Sequence, residues 1–337
     1  MKYVLLADLH LTINPLDEYR WQWLEKFTEW LIKNQPMTLV ILGDVTENKD
    51  RHSNTLVNRF ISLITRWVSE NIVIMVITGN HDGIDVSKPF FRFINNMNNI
   101  RMITKPFSNG TCLFLPHSKN PLEEWKKLTL SRPTYIFMHQ AINEAKTSSG
   151  FEMIDVVSSD YFKSIKAKIF SGDIHVPQQV GNVTYVGSPY PIYFGDNFNG
   201  RFITISEKDV VRSVYIPSIS KMKLRINSLK ELHKVDIKRD DQLNVEYMLD
   251  RTEQHKWADS RDKIRSYIKA QGGILVSLEL LLPKKRSSLK KNRVQLSTQH
   301  MSDRDYIAMY ARRNDIDNKF YIEIANNILK EVTIDDE

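Results

Sequence analysis

Short apolar runs alternate with amphipathic stretches in the first half of the chain, and several of these runs stop abruptly in polar residues. Residues 72–78 are almost wholly apolar and lead into Gly79-Asn80-His81-Asp82. A run of this length predicts a buried strand, and open α/β sheets bind their ligands beyond the carboxyl ends of the strands. A strand followed by a simple Asn-containing turn is the alternative interpretation.

Amphipathic helices are predicted between these strands. Residues 16–35 and 53–70 place large apolar side chains at helical spacing, and Ser53 is suited to cap the second helix. This alternation predicts a layered α/β domain. Beyond residue 100 the strands become shorter, and the runs up to residue 205 predict a second, more antiparallel set of strands.

A change of pattern near Pro217 predicts a domain boundary, and we expect three segments. Residues 1–217 form the main domain. Residues 218–290 predict a small α+β domain, with strands at 223–226, 243–249 and 274–282 and a helix at 253–270. Residues 291–337 predict a basic linker and a last helix at 303–330, which is a candidate for docking a partner or for packing on its own domain.

Composition excludes several classes of protein. Of 337 residues, 42% are hydrophobic and 26% are charged, which is typical of globular domains. The single cysteine, Cys112, cannot form an internal disulfide, and its apolar neighbours predict a buried thiol in a reducing compartment. The apolar start of the chain is too short for a signal peptide or a membrane span. We therefore expect a cytoplasmic protein without a membrane partner.

The net charge of +7 is unevenly distributed. Counting residues gives +2 for residues 1–220 (23 basic, 21 acidic) and +5 for residues 221–337 (24 basic, 19 acidic). The excess of basic residues in this C-terminal region indicates a polyanionic partner such as DNA. For residues 284–293, the most basic part of the region, an exposed flexible loop is the alternative interpretation. The candidate DNA-binding residues in that part are Lys284, Lys285, Arg286, Lys290, Lys291 and Arg293.

Five apolar runs each end in side chains that can bind a divalent ion. These side chains are Asp8 with His10, Asp44, Asn80, His139, and Asp173 with His175. If the five strand ends lie at one edge of a sheet, they meet in one site. Carboxylate, amide and imidazole ligands without thiolates suit Mn²⁺, Fe²⁺ or Zn²⁺. There are too many ligands for one catalytic ion, so we expect two ions that share a carboxylate, as in phosphoester hydrolysis, with Asp44 as the natural bridge.

These motifs resemble the five motifs of the calcineurin-like metallophosphoesterases. The segment from Tyr185 to Asp196 is similar to the one that follows the last metal motif in SbcD-type nucleases, a group that includes bacteriophage recombination-nuclease subunits. The resemblance covers about the first 200 residues. It implies a four-layer α/β/β/α sandwich, and the layout of the C-terminal part is similar to the smaller α+β capping domain of that group.

The resemblance also implies roles for individual residues. One ion would be held by Asp8, His10, Asp44 and His175, and the other by Asp44, Asn80, His139 and Asp173. His81 would face the substrate phosphate and donate a proton to the leaving oxygen, a task suited to imidazole. Asp82 would orient the His81 ring by accepting its other N–H.

Two positions depart from the family pattern. Gly172-Asp173-Ile174-His175 stands where the nucleases usually have Gly-His-x-His, so one site gains a carboxylate, which favours harder ions. Gly43-Asp44-Val45-Thr46-Glu47 carries Glu47 where Asp or His is usual. We interpret Glu47 as a residue that supports a ligand or lies near the substrate. His52 is interpreted as a surface residue, with substrate contact as the alternative.

The sequence therefore predicts a DNA nuclease that hydrolyses phosphodiester bonds with a hydroxide activated by two divalent ions. Mn²⁺ is expected first, with Mg²⁺, Fe²⁺ and Zn²⁺ as alternatives. The resemblance implies an SbcC-type coiled-coil ATPase as partner and a homodimer within the complex. A stand-alone phosphodiesterase acting on nucleotides or small phosphoesters is the alternative enzyme, and a non-catalytic scaffold is the alternative outside enzymes.

Overall fold

The computed structural model describes residues 1–125, 132–154 and 156–282. The α-helices within these ranges are α1 (Glu18–Asn34), α2 (Asn54–Ser69), α3 (Pro121–Trp125), α4 (Leu229–Leu232) and α5 (Trp257–Ala270). The first strands are β1 (Tyr3–Leu6), β2 (Thr38–Ile41), β3 (Val73–Ile77), β4 (Ile100–Ile103), β5 (Phe107–Ser108), β6 (Cys112–Leu115), β7 (Tyr135–His139) and β8 (Lys168–Gly172). The others are β9 (Gln178–Val180), β10 (Val183–Tyr185), β11 (Phe202–Ile205), β12 (Val211–Val214), β13 (Lys221–Ile226), β14 (Gln242–Met248) and β15 (Ile274–Leu281).

The first sheet has the strand order β12-β11-β1-β2-β3-β4. Strands β1 to β4 pair in parallel, and α1 and α2 form the connections from β1 to β2 and from β2 to β3, whereas β11 pairs with β1 in the antiparallel sense. The Ser53 side chain accepts the Leu56 N–H at 3.2 Å, which confirms the predicted cap of α2. The Trp67 indole donates to Thr28 Oγ1 at 2.9 Å and ties α2 to α1.

The second sheet has the order β5-β6-β7-β8-β10-β9. Its four central strands, β6, β7, β8 and β10, are parallel, and only the edge pairs are antiparallel. The prediction of a more antiparallel set was therefore wrong for these strands. The run at residues 201–205, which was assigned to this set, belongs to the first sheet. Strand length does not determine direction, because direction depends on the path of each connection.

The two sheets pack face to face around a shared core. Leu5, Val40 and Ile77 of the first sheet meet Phe114 and Phe137 of the second. Helices α1 and α2 cover the outer face of the first sheet with an apolar cluster that includes Trp23, Phe27 and Trp67. A third cluster, with Trp125 and Phe162, covers the outer face of the second sheet. The expected layered α/β sandwich is thus confirmed.

A third sheet follows Pro217, with β13, β14 and β15 side by side and parallel. Its buried face packs on α4 and α5 around Leu243, Val245 and Ile264. Lys221, at the start of β13, is buried, and its Nζ lies 3.6 Å from Asp17 Oδ1. The limits of the three proposed segments stay predictions.

Some predicted features lie outside the described residues. These are the six candidate DNA-binding residues from Lys284 to Arg293 and the helix expected at 303–330. Within the described ranges, no helix is both long enough and apolar enough to cross a membrane.

Candidate metal centre

The predicted ligands lie where the carboxyl ends of the two sheets meet. Strands β1, β2 and β3 of the first sheet lead to Asp8 with His10, to Asp44 and to Asn80, while β7 and β8 of the second sheet lead to His139 and to Asp173 with His175. Two contacts join the sheets here. The Asp173 N–H donates to Asp8 Oδ1 at 2.9 Å, and His139 Nδ1 lies 2.6 Å from the Leu42 carbonyl oxygen. The expectation of a single sheet edge was therefore wrong, because five strands from two stacked sheets build the site.

The backbone at the site is unusual. Asp8, His10, Asp44 and Asp173 have positive φ angles of 53°, 44°, 52° and 81°. This left-handed conformation costs roughly 1–2 kcal/mol per non-glycine residue, so the surrounding packing holds it in place. A Cβ atom at Gly43 would lie 2.2 Å from His139 Nδ1, which explains why the residue before Asp44 is a glycine.

The first group of candidate ligands consists of Asp8, His10, Asp44 and His175. The Nε2 atoms of His10 and His175 face each other at 3.1 Å, and His10 Nε2 lies 3.5 Å from Asp44 Oδ2. One ligand atom each from Asp8, His10 and His175 lies within 4.8 Å of the others. These residues converge closely enough to bind one ion.

The second group consists of Asp44, Asn80, His139 and Asp173. His139 Nε2 lies 3.0 Å from Asn80 Oδ1, 3.5 Å from Asp44 Oδ1 and 3.7 Å from Asp173 Oδ1. The Asn80 amide is placed with its oxygen toward Asp44 and His139, and its nitrogen would hydrogen-bond to them if the amide were turned over. A cation between these groups would satisfy the oxygen in its present direction.

The electrostatics of the site favour bound cations. Burial, and next the neighbouring Asp44, raise the pKa of Asp82 to about 6. Burial, assisted by Asp44, raises the pKa of Asp8 to about 7, and Asp8 Oδ2 is buried without a hydrogen-bond partner. Burial alone would lower the pKa of His139, but Asp44, Asp173 and Asp8 outweigh it and raise that pKa to about 9. Several carboxylates and imidazole rings grouped this closely suit two divalent ions.

Glu47 contacts His10 and His81 at the edge of the centre. Its Oε2 lies 2.9 Å from His10 Nδ1, a close polar contact whose alignment falls short of a regular hydrogen bond. Its backbone carbonyl lies 2.9 Å from His81 Nδ1. His10, Glu47 and His81 also converge within 4.8 Å. Glu47 thus holds the ring nitrogens of two histidines, which agrees with its interpretation as a residue that supports a ligand.

Asp82 has a different role from the predicted one. Its carboxylate accepts the backbone N–H groups of Asp44 at 2.9 Å, Val45 at 2.8 Å and Gly79 at 2.7 Å. The His81 ring nitrogen Nδ1 instead faces the Glu47 carbonyl. The expectation that Asp82 orients the His81 ring was therefore wrong. Asp82 joins the loop after β2 to the loop after β3 and fixes the backbone at Asp44.

Three further aromatic side chains lie near the centre. His52 is half-buried against Phe90 and Phe91, with ring centroids 4.4 and 5.2 Å away, so its interpretation as a surface residue holds only in part. His52 and Glu47 also line one groove beside the site. The His117 ring lies 6.1 Å from that of His139. Tyr193 stacks on His175 and was not among the predicted site residues.

Replacing Glu47 with alanine is expected to weaken Mn²⁺ binding about tenfold, at the lower end of the range for residues that orient metal ligands. The reason is that His10 loses the carboxylate beside Nδ1 and is free to turn. Glu47→Gln keeps an oxygen at this position and should lose less. Calorimetric titration of Mn²⁺ into metal-free protein measures the effect, with the exposed Glu29→Gln as control. Equal affinities for wild type and Glu47→Ala would contradict the positioning role.

The comparison with protein families agrees with this geometry. The family model for calcineurin-like phosphoesterases matches residues 1–177, slightly more than half of the chain. The chain belongs to this family. It is accordingly a metal-dependent phosphoesterase, and its candidate ligand clusters fit the divalent ions that the family uses.

Two individual proteins are similar to this calcineurin-like phosphoesterase. Exonuclease subunit 1 of Enterobacteria phage T4 is 20% identical over 349 aligned residues, which cover 99% of this chain and 100% of the phage protein. The crystal structure of a dimetal phosphatase from Danio rerio is 12% identical, covers 52% of this chain and 70% of its own, and has a TM-score of 0.25.

Proposed function

We propose that this phosphoesterase is a DNA nuclease that depends on two divalent ions, with Mn²⁺ as the expected metal. The observation that carries the proposal is the shared carboxylate: Asp44 places one oxygen 3.5 Å from His10 Nε2 and the other 3.5 Å from His139 Nε2. A carboxylate between two ligand groups suits a pair of ions. The similarity over nearly the whole chain to a phage exonuclease subunit supports DNA as the substrate.

The side chains have separate roles in the proposed hydrolysis. Bound ions supply Lewis acidity toward the phosphate group. The shared carboxylate of Asp44 orients the ligand groups on both sides. His81 is half-buried beside His10, with ring centroids 4.9 Å apart, and its Nδ1 faces the Glu47 carbonyl. This leaves His81 Nε2 available to donate a proton to the leaving sugar oxygen.

We also propose that the chain is the catalytic subunit of a larger complex, with an SbcC-type coiled-coil ATPase as partner and a second copy of itself. The name of the phage relative, a subunit, supports an assembly. The basic residues Lys284–Arg293 are proposed to contact the phosphate backbone, and residues 303–330 to dock the partner. Copurification of the full chain with a large ATPase tests the assembly.

Metal removal and salt together test the substrate class. Linear DNA should be hydrolysed with Mn²⁺, and an excess of EDTA should abolish the activity. Six phosphate contacts would reduce DNA affinity by roughly 10³-fold between 50 and 200 mM salt. Gel assays of a labelled duplex give the rates, and fluorescence anisotropy gives the affinity.

The alternative functions give different results in the same assays. A phosphodiesterase that acts on nucleotides should cleave a cyclic or dinucleotide ester at rates almost independent of salt, and leave DNA intact. A scaffold should bind DNA without hydrolysing any ester. Two bound ions per chain, measured by elemental analysis, favour either enzyme, whereas none favours the scaffold.

A further inference from the structure

Tyr193 is exposed at the edge of the metal centre. Its ring stacks on that of His175 with centroids 5.5 Å apart and an interplanar angle of 25°, yet 49% of the residue is accessible to solvent. One face of the phenol ring therefore lies against a candidate metal ligand. The accessible part of the residue is available to a ligand.

The turn that carries Tyr193 is held firmly. The buried carboxylate of Asp196 accepts the N–H groups of Ile192 and Tyr193, both at 2.8 Å. The Asp196 N–H donates to the Tyr193 carbonyl at 3.2 Å, and the Gly195 N–H donates to the Lys221 carbonyl at 2.9 Å. Gly195 has a φ of 95°, which favours glycine. The backbone thus fixes an aromatic residue that is 49% accessible to solvent.

The position of the ring determines the chemistry of its ligand. His175 belongs to the first ligand group, so a phosphate at the centre lies close to Tyr193. A nucleobase is a flat group one sugar away from such a phosphate, and bases of any sequence stack on aromatic side chains.

We propose that Tyr193 is a stacking platform for the base of the nucleotide next to the scissile phosphate. This inference rests on the proposed nuclease function and adds a substrate-binding residue to it. The platform binds bases of any sequence, because its contact is with the face of the base. The alternative role for Tyr193 is structural, as a cover that only holds the His175 ring.

The test compares single-stranded oligonucleotides that carry either a normal base or an abasic residue beside the cleaved bond. The readout is the ratio of kcat/KM for the normal substrate to kcat/KM for the abasic one. Tyr193→Ala should reduce this ratio about tenfold, mainly through KM. Tyr193→Phe keeps the ring and should stay near the wild-type ratio. Tyr215→Ala removes a similarly exposed tyrosine, 57% accessible, that follows edge strand β12, and serves as the matched control.

Metal content separates the two roles of Tyr193. If the ring is a base platform, Tyr193→Ala should retain two ions per chain. An unchanged substrate ratio, or equal losses on both substrates together with loss of metal, would overturn the proposal and favour the structural role. If wild-type protein cleaves neither oligonucleotide with Mn²⁺, the nuclease function itself fails. Failure of the platform proposal alone gives a different result, in which wild-type protein is active and Tyr193→Ala leaves the substrate ratio unchanged.

Discussion

Asp44→Ala is expected to reduce phosphodiester hydrolysis at least about 10³-fold, because it removes the single carboxylate that both ligand groups share. Its two oxygens each lie 3.5 Å from a histidine nitrogen of a different group. Loss of any other predicted ligand affects one group directly, whereas loss of Asp44 affects both. Elemental analysis should find fewer than two ions per chain in this variant.

Thermal unfolding distinguishes lost metal binding from lost folding. In wild-type protein, an ion at 100 times its Kd stabilises the fold by about 2.7 kcal/mol, so Mn²⁺ should raise Tm. Asp44→Asn should lose this rise while the metal-free protein stays folded, because asparagine keeps the size and shape of the side chain and an oxygen that can accept the His81 N–H.

The exposed Asp236→Ala is the control for this experiment and should keep the Mn²⁺-dependent rise in Tm. An Asp44→Ala protein that binds two ions and cleaves DNA at the wild-type rate would exclude the shared-ligand arrangement.

His81→Ala should reduce DNA cleavage about 10²–10⁴-fold, the usual range for loss of a general acid, while both ions remain bound. Metal content should be retained because His81 is not among the predicted ligands. The leaving sugar oxygen then departs without a proton donor. Quenched-flow or gel assays of single turnovers measure the rate, and elemental analysis measures the metal.

The leaving group provides a second, sharper test of the same residue. A p-nitrophenolate departs readily without protonation, so His81→Ala should lose much less activity on bis(p-nitrophenyl) phosphate than on DNA. The variant His255→Ala, in the C-terminal sheet region, is the control. Equal losses on both substrates would show that His81 acts in another way, for example by binding the phosphate, and undetectable loss on DNA would rule out the proton-donor role.

Local signals in the sequence were sufficient to identify the candidate ligands of the metal centre. Each candidate ligand follows a short apolar strand, so strand ends such as those before Asp44 and Asn80 were visible from the alternation of residue types alone. The cap at Ser53 was predictable for the same reason, because the cap and the helix it starts are neighbours in the chain. Parallel direction in the second sheet was not predictable from strand length, since it depends on long connections.

Interactions between distant segments explain the other differences between the predicted and the observed site. Asp82 was expected to hold the adjacent His81 ring, but its carboxylate reaches the backbone after β2, 37 and 38 residues earlier in the chain. His52 was expected at the surface, yet Phe90 and Phe91 pack against it. Tyr193 reaches the centre only because the turn after β10 returns to His175.

The sequence by itself determined the residue types of the centre, the strands that lead to them and the layered α/β class, because hydrophobic periodicity and strand-end residues are properties of short segments. Only the tertiary structure decided that two stacked sheets share the site, that Glu47 supports two histidines and that Tyr193 borders the centre. The physical reason is that these arrangements depend on which surfaces pack together, and packing brings together residues that are far apart in the chain.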